Sequence, residues 1–272
     1  MKILEEIQKF EKDFIAAGEL ASKMHQTTDK SLKTNTGFYE LDVVTAADFA
    51  VQEYILERLS HSEIIKKCEL LAEEETKYTD KFSKKSKLIL TIDPIDGTYL
   101  YAHGKKMWKV IIGIHDRKRP LYTFCYFPEY KWGVKIVKDR CEYIGERPQL
   151  KLKSHILPKS IAYGIYGKEV NPQKLFTSKY RELIGQGYQF VERKEISDEP
   201  STTGQFLILS DAFDGLIMDG KMGSAVDILV GLHFGLANDY IVDNHMDLSR
   251  RNRSASAVGN YEGYYLILKN NF

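Results

Sequence analysis

The chain opens on apolar residues spaced for a helix. Ile3, Ile7, Phe10, Phe14 and Ala17 recur at three- or four-residue intervals with Glu and Lys between them, an amphipathic pattern. Polar residues from about Gln26 to Thr36 interrupt it and read as a loop. Thr45-Ala46-Ala47-Asp48 has capping-box spacing, which predicts a second helix from Thr45 with Phe49, Tyr54, Ile55 and Leu59 on its apolar face. The period then shortens. Glu69–Ala72 and Leu88–Ile92 are short apolar runs ending in acids or a turn, as buried strands do. Trp108–Ile114, Leu121–Phe127 and Trp132–Val137 follow, separated by turn-like Asp116–Pro120 and Pro128–Tyr130, and predict an antiparallel meander.

A polar stretch from Glu146 to Lys159 with two prolines predicts a seam between a lobe over 1–150 and a lobe over 151–272. Beyond it, Ile161–Tyr166 reads as a strand, and Asn171-Pro172 opens a helix reaching about Ile184. A helix over Thr202–Ala212, a strand over Gly215–Met218, a helix over Ala225–Leu236 and a strand over Tyr264–Leu268 complete the pattern. The expected fold class is α/β, with an α+β first lobe and an α/β second lobe.

Composition changes this picture only by exclusion. With 43% hydrophobic and 28% charged residues in 272, the chain is neither disordered nor fibrous. Lys+Arg of 39 against Asp+Glu of 38 gives no bulk attraction to nucleic acid or acidic lipid. No run approaches the ~20 apolar residues that cross a bilayer. Glu5 and Glu6 stand where a secretory signal has its apolar core, so a cytoplasmic protein without a membrane partner is expected. Cys68, Cys125 and Cys141 are odd in number and lack C-x-x-C spacing, against a disulfide framework or thiolate zinc site.

The chemistry concentrates at Asp93-Pro94-Ile95-Asp96-Gly97-Thr98, where two carboxylates follow a buried strand. Such close acids repel unless a cation, a proton or an arginine lies between them. Alone, the hexamer is equally the mark of a capped turn. Glu73-Glu74-Glu75 after Leu70–Ala72 brings further acids to the end of the neighbouring strand, the makings of an oxygen-rich metal cup. Asp227 precedes the apolar run Ile228–Leu232 and by itself reads as an ordinary helix N-terminal acid.

Together these stretches resemble the inositol monophosphatase family of magnesium-dependent, lithium-sensitive phosphatases. The Glu-Glu element and the D-P-[IL]-D-G-T hexamer are in order. Asp42-Val43-Val44-Thr45-Ala46-Ala47-Asp48 is similar to the family's D-x-V-T-x-x-D. Thr98–Gly104 is similar to T-x-N-F-x-H-G, and Val226–Gly231 to W-D-x-A-A-G without its tryptophan. The resemblance implies a layered α/β/α/β/α sandwich, commonly a homodimer, acting as a phosphomonoesterase on a small phosphorylated polyol, inositol monophosphate first. It implies two or three Mg²⁺ ions. Glu73 (or Glu74 in its place), Asp93 and the Ile95 carbonyl would hold one, and Asp93, Asp96 and Asp227 another. Thr98, supported by Asp48, would activate water, and the Gly97 and Thr98 amides would meet the phosphate. Asp219, Ser201 and Thr202 are the candidate substrate contacts.

The family's E-A-G-G is replaced by Ala237-Asn238-Asp239-Tyr240, which bears on the substrate more than on the reaction. The same-family alternatives are a 3′(2′),5′-bisphosphate nucleotidase and a fructose-1,6-bisphosphatase. From another class, a regulatory or RNA-binding protein that kept the fold without catalysis would fit the missing tryptophan and the basic runs Lys84–Lys87 and Arg250–Arg253.

Overall fold

The amino-terminal periodicity is realised as α1 (Lys2–Ile7) and α2 (Glu11–Met24), joined by a 3-10 turn. The computed structural model describes residues 1–25, 30–32, 43–164, 171–197, 204–219, 225–252 and 260–270. An antiparallel pair, β1 (Lys30–Leu32) and β2 (Val43–Thr45), leads into α3 (Ala46–Leu59). The capping box forms as expected, with Asp48 as its third residue. The buried stripe of α3 is Ala47, Val51, Ile55 and Leu59, one residue every four. Phe49 lies off that stripe and is 44% exposed, contrary to the expected apolar face.

The meander is part of a six-stranded sheet in the order β3-β4-β5-β6-β7-β8. Its strands are β3 (Glu69–Ala72), β4 (Ile89–Asp96), β5 (Lys109–His115), β6 (Pro120–Phe127), β7 (Trp132–Val137) and β8 (Arg140–Ile144). β3 and β4 are parallel and the remaining pairs antiparallel. Alternation along the strands divides the core in two. Leu90, Ile92, Val110, Ile112, Tyr122 and Phe124 face α1, α2 and α3. Ile89, Ile111, Cys125, Phe127, Trp132 and Val134 face the other way, onto α7 (Gly204–Leu209) and α8 (Leu229–Ala237).

Those two helices form the middle layer. α8 touches β6, β7 and β8 on one side and β12 (Ile241–Asn244) and β15 (Tyr264–Leu268) on the other. The second sheet has the order β10-β9-β11-β15-β12, with β9 (Ser160–Tyr163), β10 (Gln189–Glu192) and β11 (Gly215–Asp219) parallel and β15 antiparallel to both neighbours. Its outer face packs Ile161, Ile217, Leu266 and Leu268 against Phe176 and Leu183 of the segment carrying α5 (Pro172–Leu175) and α6 (Thr177–Gly185). The layers therefore run α/β/α/β/α. A small antiparallel pair, β13 (Asp247–Asn252) and β14 (Asn260–Glu262), precedes β15.

Three further expectations change. β4 does not stop at Ile92 but continues through Asp96, with a register shift between Asp93 and Asp96. Pro94 cannot donate to a ladder, and an irregularity there accommodates it. The helix expected from Asn171 to Ile184 breaks at Phe176, whose φ of −127° and ψ of 50° are not helical. The last helix begins at Leu229, leaving Asp227 in the turn before it. Among the described residues no helix is long and apolar enough to cross a membrane.

Candidate active site

The site lies where β3 and β4 end and the turn before α8 comes down onto the sheet. Parallel pairing of Leu71 with Thr91 and Ala72 with Ile92 carries Glu73, just past the end of β3, alongside Asp93 within β4. Asp93 is 3% exposed and its Oδ1 accepts the Ile95 amide at 3.1 Å. Gly97 then turns the chain with φ of 90°, a left-handed conformation that a side chain would strain, and opens the short α4 (Thr98–Ala102).

Three residues meet at this turn. The Thr98 hydroxyl lies 3.1 Å from Asp48 Oδ1 and 2.9 Å from the Ile95 carbonyl. Asp48 is fully buried, and its Oδ2 accepts both the Thr45 amide at 2.8 Å and the Thr45 hydroxyl at 2.7 Å. The capping box that starts α3 thus also aims Asp48 at Thr98.

Glu73 and Glu74 behave differently. Gln52 of α3 clamps the backbone of Glu74, donating to its carbonyl and accepting its amide at 2.9 Å, and Glu74 is buried. The charge of Glu73 reaches Asp227. Asp227 is held through its backbone. Gln205 donates to the Asp227 carbonyl at 3.3 Å, and Tyr265 donates to the Ile228 carbonyl at 2.9 Å. Gly231 is small because a Cβ there would come within 2.6 Å of the Tyr265 hydroxyl. Burial raises the Asp227 carboxyl to about 7, with Lys109 and Arg193 pulling it down and Glu73 pushing it up.

Lys109 and Arg193 were not among the expected site residues. Lys109 starts β5 directly opposite Asp96 and pairs with its Oδ2. Its side chain is fully buried, with Nζ 5.8 Å from the Phe127 ring centroid. Burial lowers its pKa while Asp227 and Asp93 oppose the shift. Arg193, itself buried, opens the 3-10 turn after β10 and donates from Nε to the Gly164 carbonyl. The signal for Lys109 was one cation heading the apolar run Val110–Ile114, since a buried ammonium requires an acid opposite. Asp219 ends β11, half-buried and across from Tyr264. Ser201, Thr202 and Asp42 lie outside the described residues.

Comparison with known proteins fits this architecture. A model described as the inositol monophosphatase family matches residues 4–194. The chain belongs to the inositol monophosphatase family. Asp219 and Asp227 fall beyond the matched stretch, where the motifs of this family member also thin. No curated protein matches the sequence. Among solved structures, the Thermotoga maritima IMPase has a TM-score of 0.62 at 18% identity, with 97% of this chain and 92% of that chain covered. An IMPase/NADP phosphatase solved with Mg²⁺ and phosphate has a TM-score of 0.63 at 16% identity, covering 98% and 92%. A Staphylococcal inositol monophosphatase-1 in a LiCl-soaked inhibitory complex has 0.62 at 14%, covering 98% and 91%. These likenesses show the fold.

The donor set of this member fits a divalent ion unevenly. Glu73, Asp93 and the Ile95 carbonyl are hard oxygens of the kind Mg²⁺ takes. Asp93, Asp96 and Asp227 do not form an all-oxygen cup, because the Lys109 ammonium is on Asp96. Among the described residues, no three His, Cys, Asp or Glu side chains gather closely enough to hold a metal ion. The first donor set suits one ion, whereas the second does not suit another while Lys109 is in place.

Proposed function

We propose that this chain is a Mg²⁺-dependent phosphomonoesterase acting on a small phosphorylated polyol, with inositol monophosphate as the leading substrate. The observation that carries this is the Asp48–Thr98 pair at the end of the strand bearing Asp93 and Asp96. Glu73, Asp93 and the Ile95 carbonyl would hold Mg²⁺, which when bound supplies the Lewis acidity that lowers the pKa of water and offsets phosphate charge.

The chain's own residues do the rest. With its hydrogen directed to Asp48, the Thr98 oxygen accepts a hydrogen bond from the attacking water and fixes its direction. As the water loses its proton, the hydroxyl passes one on to Asp48, since threonine alone is too weak a base. Thr45 keeps Asp48 in the orientation that receives it. The amides of Gly97 and Thr98, at the start of α4, receive phosphoryl oxygens, and Asp219 takes a substrate hydroxyl.

The test is phosphate release from inositol monophosphates, nucleoside bisphosphates and fructose 1,6-bisphosphate, with and without Mg²⁺. Inositol monophosphate should be cleaved fastest, only with Mg²⁺, and Li⁺ should inhibit. Absence of release from every ester would overturn the proposal.

A further inference from the structure

Lys109 has no part in the chemistry above, yet it stands in its midst. In the β4–β5 ladder Asp93 pairs with Ile111 and Asp96 with Lys109, so three residues on β4 span two on β5. Lys109 and Ile111 lie two apart on one strand and point to the same face, the face that packs against α7 and α8. The register shift therefore gathers Asp93 and Asp96 over a single lysine, on which the charge of Asp227, from the turn before α8, also acts.

The alternatives for this ammonium are few. It is closed off from water, and Phe127 lies along one side of it. The ionisable groups that act on it most strongly are Cys125, Asp227, Asp93 and the opposing Arg193, besides its partner Asp96. The Cys125 thiol, pushed up to about 12 by burial, is neutral. An ammonium so placed without anions would be costly, and carboxylates so placed without a cation would repel one another.

We propose that Lys109 is a built-in counter-cation: its ammonium serves Asp93, Asp96 and Asp227 in place of a metal, and the site binds one divalent ion rather than two or three. The inference rests on the phosphatase proposal for the remaining ion's place at Glu73, Asp93 and Ile95. Asp96 is then an anchor for Lys109.

Metal count is the decisive measurement. Mn²⁺ titration of the full chain, read by electron paramagnetic resonance and native mass spectrometry, should give one ion per wild-type chain. Lys109→Met keeps most of the stem, removes the charge and should give two. Two or more ions on the wild type, none at all, or a folded Lys109→Met that still takes one would each overturn the proposal. If circular dichroism shows that Lys109→Met does not fold, the wild-type count decides alone. Phosphate release from the same preparations separates the two claims. One ion with no ester cleaved would support the role of Lys109 and refute the phosphatase, whereas cleavage with two ions bound would do the reverse.

Discussion

Thr98 and Asp48 are 50 residues apart in sequence and 3.1 Å apart at their side-chain oxygens. The second oxygen of Asp48 is engaged by Thr45, so the carboxylate cannot swing away without breaking the start of α3. Thr98→Ala removes the relay and should lower kcat by about 10²- to 10⁴-fold, the usual contribution of a positioned proton acceptor. Thr98→Ser, which keeps the hydroxyl, should stay within about tenfold of wild type by the same reasoning. Steady-state phosphate release decides, and an alanine variant of undiminished kcat would remove Thr98 from the reaction.

Asp93→Asn preserves an oxygen for the Ile95 amide but deletes the charge. Because the site is buried, that charge should matter more to the metal than to the fold. Turnover should drop by at least about 10²-fold, as expected when a ligand is weakened, with an unchanged circular dichroism spectrum. Full Mg²⁺-dependent activity in this variant would exclude Asp93 as a ligand.

Gly231→Ala tests how Asp227 is held. The added methyl would press on the Tyr265 hydroxyl, which supports the Ile228 carbonyl next to Asp227. Overpacking of this kind costs about 1–3 kcal/mol. Urea unfolding should show that loss, and Tyr265→Phe in the same background should recover part of it by removing the clashing oxygen.

His233 sets an acid limit on stability. It is buried in α8, its Nδ1 2.7 Å from the Thr123 hydroxyl and its Nε2 donating to the Lys138 carbonyl at 2.8 Å. Burial depresses its pKa from 6.5 to about 4. Below pH 6.5 the unfolded chain therefore takes up a proton that the native state refuses. The stability from the neutral ring is complete above that pH and falls by about 3 kcal/mol as pH drops through the window to 4. Urea unfolding at pH 8 and pH 5 should show the decline, and His233→Gln should flatten it.

The first half of the site was legible because its signals are local. Asp93 through Thr98 form one uninterrupted run, and Thr45 and Asp48 are three apart, so the turn and the capping box can be read from spacing, while the roles expected of them came from the family resemblance. The meander was legible for the same reason, its strands being mostly apolar. β8 and β12 were not. Arg140–Ile144 and Ile241–Asn244 are edge strands with mixed polarity; the first is paired by the hairpin to β7, and the second by β15, more than twenty residues further along. Lys109 was hidden by its neighbours, since Met107-Trp108 and Val110-Ile111 mark the segment as core. Only the register shift between Asp93 and Asp96 reveals what lies opposite it, and register is not written in a single strand.

The place of β15 has a consequence for biosynthesis. It is the last strand among the described residues, yet it sits inside its sheet, between β11 and β12. A chain emerging from the ribosome can assemble the meander early, but β11 and β12 must wait with open edges until residues 264–268 clear the exit tunnel. Tyr265 belongs to that strand, so the turn bearing Asp227, which Gln205 also holds, gains its second tether only when β15 docks. A translation product halted before Tyr264 would leave unpaired the edges of β11 and β12 that β15 covers, a form exposed to edge-to-edge aggregation.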